Sequence, residues 1–112
     1  MGISALIVAK NEEKNLDNCL KRLTFVEQIV VIVDESTDNT KNIALNYTKF
    51  VYEGSWSKEG ERRNFGLSKC QNEWILEIDA DEIVEKDLAR EIIEKVSYGD
   101  KDYFYLPLLN YV

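Results

Sequence analysis

Short apolar runs alternate with amphipathic segments along most of this chain, and this alternation limits the fold more than any other feature of the sequence. Two of the runs, 3–9 and 29–33, are nearly continuous in apolar residues, as expected of strands covered on both faces of a parallel sheet. Strand–helix alternation predicts right-handed crossovers between parallel strands. We therefore expect a three-layer α/β/α domain with a mostly parallel, Rossmann-like sheet.

The remaining strands are predicted at 50–52 and 73–78, which gives the strand order 3-2-1-4. A final apolar run, 103–109, contains the one proline of the chain and predicts an added edge strand. Helices are expected after Asn11 and after Asp38, each acting as an N-cap, then around 61–69 and over 86–96. In the last helix the spacing predicts that Ile92 and Ile93 face inward.

Composition narrows the classes of function. The chain has 112 residues and a net charge of −7, so we expect one domain over 1–112 and no nonspecific binding to nucleic acid. It has no histidine, and its cysteines, Cys19 and Cys70, lie in apolar helical patterns typical of free thiols in a reducing compartment. No apolar stretch approaches the length of a membrane span, about 20 residues. These features predict a cytoplasmic protein without a transmembrane segment.

The segment Asp79-Ala80-Asp81 directly follows the fourth predicted strand. The period-2 geometry of a strand would point both carboxylates to the same side. Such a pair suits a hard divalent cation, Mn²⁺ or Mg²⁺, which binds a few carboxylate oxygens together with substrate phosphates. The alternative is that these aspartates simply form the turn after the strand.

Polar residues also follow the first two strands, at 10–12 and 34–36. Ligands of open parallel sheets lie outside the carboxyl ends of the strands. The sequence therefore predicts a binding site at that edge of the sheet.

Four segments, at 9–13, 33–40, 62–64 and 78–82, together resemble the family 2 glycosyltransferases of the GT-A fold, in the same order and spacing. The likeness is greatest to the bacterial subgroup that adds glucose to the lipopolysaccharide inner core. The resemblance implies a domain that binds a nucleoside-diphosphate sugar, with a UDP-sugar as the expected donor.

The resemblance also implies roles for particular residues. Uridine would lie across the ends of strands one and two, with a carboxylate accepting a hydrogen bond from uracil. Many relatives have an additional residue, often glycine, before Ser-Thr-Asp, and this chain lacks it, so that carboxylate is either Asp34 or Glu35. Asp81 would bind the metal, and Asp79 would hold the ribose or share the metal. The implied nucleotide-sugar site comprises Ala9, Asn11, Glu12, Asp34, Glu35, Lys58, Arg63, Asp79 and Ala80.

The resemblance also implies that Arg63 reaches toward the nucleotide diphosphate, with Lys58 close upstream. Helical spacing places Arg63 in line with Gly66 on the inward face, which favours that role over a surface position. The alternative is that these cations form a solvated helix face. For Ser36, Thr37 and Asp38, helix capping is preferred to ligand contact.

In the family, an inverting transfer to a glycan or lipid-linked acceptor uses a carboxylate base from a second half of the protein. We therefore expect 1–112 to be a truncated donor-binding half that is inactive alone and acts in the cytoplasm, at the inner face of the membrane. A noncatalytic nucleotide-sugar-binding module and a metal-dependent phosphohydrolase are the alternatives.

Overall fold

A computed structural model describes the backbone of residues 2–98 and the side chains of residues 2–97, so the predicted edge strand at 103–109 lies outside the described residues. Four strands alternate with four helices: β1 Ile3–Ala9, α1 Leu16–Leu20, β2 Gln28–Asp34, α2 Thr40–Leu45, β3 Val51–Gly54, α3 Glu59–Lys69, β4 Trp74–Asp79 and α4 Lys86–Tyr98.

The four strands form one parallel sheet in the order β3-β2-β1-β4, which confirms the predicted topology. The register places Val8 of β1 opposite Asp79 of β4, and Asp34 of β2 opposite Gly54 of β3. The carboxyl ends of all four strands therefore meet at one edge of the sheet.

Helices cover both faces of the sheet, but unequally. Helices α1, α2 and α4 pack on one face, where Leu16, Ala44 and Ile92 join the main core around Ile7 and Val31. Helix α3 alone covers the other face among residues 2–98, over a smaller core formed by Leu6, Val30 and Ile32. The predicted three-layer arrangement is confirmed, and the α3 face is the more open of the two.

Glycine at position 66 lets α3 lie close to the sheet. A Cβ atom added at Gly66 would stand 2.7 Å from Leu6 Cδ1 and 3.3 Å from Ile32 Cγ1. This close approach fixes the height and rotation of α3 over β1 and β2, and so determines which of its side chains reach the strand ends.

Three expectations about the helices were wrong. Asn11 does not cap α1, because it adopts a left-handed φ of 51° and the helix begins later, with Asn15 in the N-cap position. Asn39 rather than Asp38 occupies the N-cap position of α2. Ile93 is 47% exposed, because the buried stripe of α4 runs through Ile92.

Within residues 2–98 no helix is long and apolar enough to cross a membrane.

Candidate functional site

The loops that follow β1 and β2 are joined by side-chain hydrogen bonds. Asn11 N donates to Ser36 Oγ at 2.9 Å, and Thr37 N donates back to Asn11 Oδ1 at 2.8 Å. Deeper in the same contact, Glu12 N donates to Oγ1 of the buried Thr40 at 2.9 Å. The two loops therefore form one connected unit at the ends of the central strands.

The segment 36–38 connects the loops as well as leading into α2. Asp38 accepts from Glu13 N at 3.2 Å through Oδ2 and from Thr40 N at 3.0 Å through Oδ1. These bonds, together with the fall that the Thr40 hydroxyl causes in the pKa of Asp38, indicate a structural role. Asp38 thus accepts from the first residue of α2 from one position upstream of the N-cap, whereas Ser36 and Thr37 bond to Asn11 of the other loop and do not cap the helix.

Asp34 and Glu35 have different surroundings at the end of β2. The Asp34 side chain is 4% exposed and faces α3, whereas Glu35 is exposed. Glu35 has a left-handed φ of 47°, and its backbone N donates to Gly54 O at 2.9 Å. Its carboxylate accepts from the hydroxyl of Ser55. Glu35 thus connects β2 to the end of β3, and Asp34 is the carboxylate that points into the fold.

Asp34 forms a partly buried ion pair with Arg62 of α3. Arg62 Nη1 donates to Asp34 Oδ2 at 2.8 Å, and the arginine side chain is 23% exposed. The other oxygen, Asp34 Oδ1, is buried with no hydrogen-bond partner among the described residues, as is Arg62 Nε. A buried polar atom without a partner is unfavourable, and a ligand that supplies the hydrogen bond gains that free energy.

Arg63, the arginine that sequence spacing placed inward, lies elsewhere. Its guanidinium makes a bidentate pair with Glu77 of β4, with both N–O distances at 2.8 Å, and its side chain is 54% exposed. The inward assignment was wrong because the row of α3 that faces the sheet runs through Arg62 and Gly66. Arg63 is displaced from that row by about 100° around the helix.

Glu77 was missed by the sequence analysis, although a signal was present. It lies two residues before Asp79 on β4, so period 2 places both side chains on the same face of the sheet. A cleft of about 130 Å³ separates α3 from β4, and its charged lining residues are Glu59, Arg62, Arg63, Glu77 and Asp79. A larger cavity, about 280 Å³, lies at the opposite end of the strands beside Phe25 and Glu27 and contains none of the predicted site residues.

The acid pair lies at a tight turn after β4. Glu82 N donates to Asp79 O at 2.9 Å, and Glu82 Oε1 accepts from Asp79 N at 2.6 Å. Ala80 is buried between Asp79 and Asp81, which are both exposed. β4 ends at Asp79 and Asp81 lies in the turn that follows, so the period of the strand does not extend to Asp81 and the shared side of the two aspartates stays a prediction.

The turn is strongly acidic, and its carboxylates affect the pKa of a nearby buried thiol, that of Cys19. Burial first, and then the carboxylates of Glu82, Asp81, Glu12 and Asp79, raise the pKa of the Cys19 thiol to about 12. Burial also raises the pKa of Glu82, with smaller contributions in the same direction from Asp79 and Asp81 that the hydrogen bond from Asp79 N opposes. A diphosphate would be repelled here unless a cation came with it.

The residues at this turn fit a divalent metal held jointly with a ligand. Within residues 2–98 no three acidic or cysteine side chains are grouped so as to hold an ion by themselves. Mg²⁺ and similar ions are commonly bound by one or two carboxylates, with water and phosphate oxygens completing the shell. The exposed pair Asp79 and Asp81 matches that requirement.

The structure brings together some of the predicted residues and separates others. Asp34 and Asp79 project from the same face of the sheet, the face that α3 covers, on strands separated by β1. Two strand spacings are about 10 Å. Ala9 is fully buried at the end of β1, and Lys58 is exposed in the N-cap position of α3. Glu12 Oε2 is buried without a partner among the described residues, a second unpaired carboxylate oxygen at this edge.

Comparison with solved structures supports the predicted GT-A fold. The fold superposes on that of TarS (residues 1–349) from Staphylococcus aureus, solved in complex with UDP, with a TM-score of 0.68 and 22% sequence identity. That match covers 88% of this chain and 32% of the TarS chain.

The family follows from the sequence. The family model for glycosyl transferase family 2 matches residues 4–111, and the chain belongs to that family. It is 37% identical over 91 residues to an uncharacterized glycosyltransferase of Rickettsia felis, covering 80% of this chain and 32% of the relative. It is 31% identical over 105 residues to the lipopolysaccharide core biosynthesis glycosyltransferase LpsC of Rhizobium meliloti, covering 88% of this chain and 38% of LpsC. The chain thus spans about a third of the length of these curated relatives.

Proposed function

We propose that this domain binds the UDP portion of a nucleotide sugar, together with Mn²⁺ or Mg²⁺, in an inverting glycosyltransferase of cell-envelope polysaccharide synthesis. The acceptor would be a glycan or a lipid-linked saccharide. Membership of family 2, the likeness to LpsC and the UDP held by TarS support this assignment.

One observation carries the proposal. A buried carboxylate with an unpaired oxygen, Asp34, and an exposed carboxylate pair, Asp79 and Asp81, lie at the same strand-end edge, and Asp34 and Asp79 are on the face that α3 covers. The first suits a base that donates a hydrogen bond, and the second would hold a divalent metal jointly with the ligand. An extended nucleoside diphosphate reaches from one to the other.

Each residue then has a chemical task. Asp34 accepts a hydrogen bond from the base, and Asp81, with Asp79, holds the metal. When bound, the metal acts as a Lewis acid that stabilises the negative charge on the departing diphosphate. Arg63, which borders the cleft, and Lys58, at the start of α3, supply positive charge near the phosphates.

Calorimetric titration of UDP, with and without Mn²⁺, tests the proposal. Wild type should bind UDP more tightly with the metal, and Asp81→Asn should lose about tenfold or more of that affinity, because one charged ligand is removed. Asp87→Asn, which changes an exposed aspartate on α4, is the matched control and should behave as wild type.

Two outcomes would count against the proposal. No UDP binding by wild type would contradict the donor assignment. Equal metal-dependent binding by wild type and Asp81→Asn would remove Asp81 from the site. A radiolabelled UDP-sugar assay with lipid and oligosaccharide acceptors should show no multiple turnover by residues 1–112, and clear turnover would contradict the expectation that this domain is inactive alone.

A further inference from the structure

We propose that Arg62 is a base-selectivity residue: by holding one oxygen of Asp34, it orients the other to accept from a ring N–H, and so selects uracil over cytosine. The inference rests on the proposed function and concerns a residue that neither the motifs nor the family resemblance assigned. It begins from an ion pair in which each partner keeps one buried polar atom unpaired.

The geometry makes the two oxygens of Asp34 unequal. Oδ2 is occupied by Arg62 Nη1 at 2.8 Å, and Oδ1 has no partner among the described residues. The carboxylate is 4% exposed in its side chain, so few rotamers are open to it. A carboxylate oxygen paired with a guanidinium can only accept hydrogen bonds.

The position of Arg62 is itself fixed by packing. Arg62 lies one helical turn before Gly66, whose lack of a side chain lets α3 approach Leu6 and Ile32. The ion pair is therefore supported by the contact between α3 and the sheet, as a selective site requires.

The hydrogen-bonding groups around Asp34 Oδ1 are complementary to the imide edge of uracil. Uracil presents a ring N–H donor between two carbonyl acceptors, whereas cytosine presents a ring nitrogen lone pair at the same place. An acceptor-only oxygen flanked by guanidinium donors matches the uracil pattern and repels the cytosine lone pair. Because Asp34 Oδ1 is enclosed, the base must displace side chains at the rim to reach it.

The test is the ratio of UDP to CDP affinity, measured by calorimetry in the presence of Mn²⁺ for wild type, Arg62→Gln and Arg62→Lys. Wild type should favour UDP by tenfold or more, about the value of one hydrogen bond to a charged group. In Arg62→Gln the ratio should fall below about threefold, mainly through weaker UDP binding. Arg62→Lys keeps the charge without the planar fork and should give an intermediate ratio.

A control variant and a contradicting result can both be named for the role of Arg62. Arg90→Gln, on the exposed side of α4, should keep the wild-type ratio. Both affinities are measured on one protein sample, so a loss of folded protein cannot change their ratio, and the lysine variant serves if the glutamine variant does not fold. A wild-type ratio retained in Arg62→Gln would overturn the inference while leaving the proposed function intact. No UDP binding by wild type would overturn both.

Discussion

The two ends of the proposed nucleotide site differ in how strongly the surrounding structure restrains their carboxylate side chains. At the end of β2, Asp34 is buried, paired with Arg62 and surrounded by loops that hydrogen-bond to each other. At the other end, Asp79 is the last residue of β4, the edge strand of the described sheet, and Asp81 lies in the turn that follows, and both are exposed. At the first end the carboxylate is oriented before any ligand arrives, which reduces the entropic cost of recognising a base, although side chains at the rim must still move to admit the base. The second leaves its carboxylates available to a metal that arrives with the diphosphate.

Removing one carboxylate at each end should separate the two regions most clearly. Asp34→Ala leaves the largely buried Arg62 without its partner, and breaking such a pair should cost about 3 kcal/mol of the free energy of unfolding. Asp79→Ala changes an exposed side chain and should shift that free energy by no more than about 0.5 kcal/mol. Urea denaturation of both variants measures the difference. Similar losses would show that the two ends are held equally firmly.

Substitution of two glycines in α3 tests whether the packing of this helix on the sheet stabilises the Asp34 end of the site. Gly66→Ala places a methyl group 2.7 Å from Leu6 Cδ1 and should cost about 1–2 kcal/mol, after the gain from better helix propensity. The matched change Gly60→Ala meets nothing within 4 Å and should stabilise the protein by about 0.5–1 kcal/mol. Thermal unfolding of both variants gives the signs. A stabilising Gly66→Ala would mean that Leu6 yields without cost and that α3 is not held at this height by Gly66.

The same contrast explains which features were predictable from sequence. The parallel sheet was predicted from apolar runs such as 29–33, because a strand that is buried on both faces has apolar residues at nearly every position. The strand-end position of the candidate site followed from the topology. By contrast, Asn11 carries the residue type of an N-cap, yet its side chain bonds to Thr37 of another loop. The preference of asparagine for the N-cap position is a local property and cannot predict a contact between residues so far apart in the sequence.

The choice between Arg62 and Arg63 shows a second limit. Adjacent helical residues point about 100° apart, so a small error in the rotation of α3 exchanges an inward residue for an outward one. That rotation is set by the contact of Gly66 with Leu6 and Ile32, which lie on two different strands. Only the assembled sheet fixes it, and with it the partner of Asp34.

The smallest expected effect concerns the open end. Burial raises the pKa of Glu82, so the folded protein holds this proton more tightly than the unfolded chain does. The corresponding stabilisation is complete below the unfolded pKa, near 4.5, and is lost as pH rises through the higher folded pKa. Glu82→Gln stays neutral and can still accept from Asp79 N. The variant should therefore match wild type in acid and become slightly more stable than wild type toward neutral pH, by at most about 0.5 kcal/mol.

Urea denaturation across this pH range measures that difference, with Glu91→Gln, an exposed change on α4, as the control that should show no such trend. The carboxylates of Asp79 and Asp81 contribute to the raised pKa of Glu82, and a bound cation would offset their charge. Adding Mg²⁺ and UDP should therefore narrow the gap between wild type and Glu82→Gln at neutral pH. A gap that widens with the metal would place the cation away from this turn, and the exposed pair would then have no part in holding it.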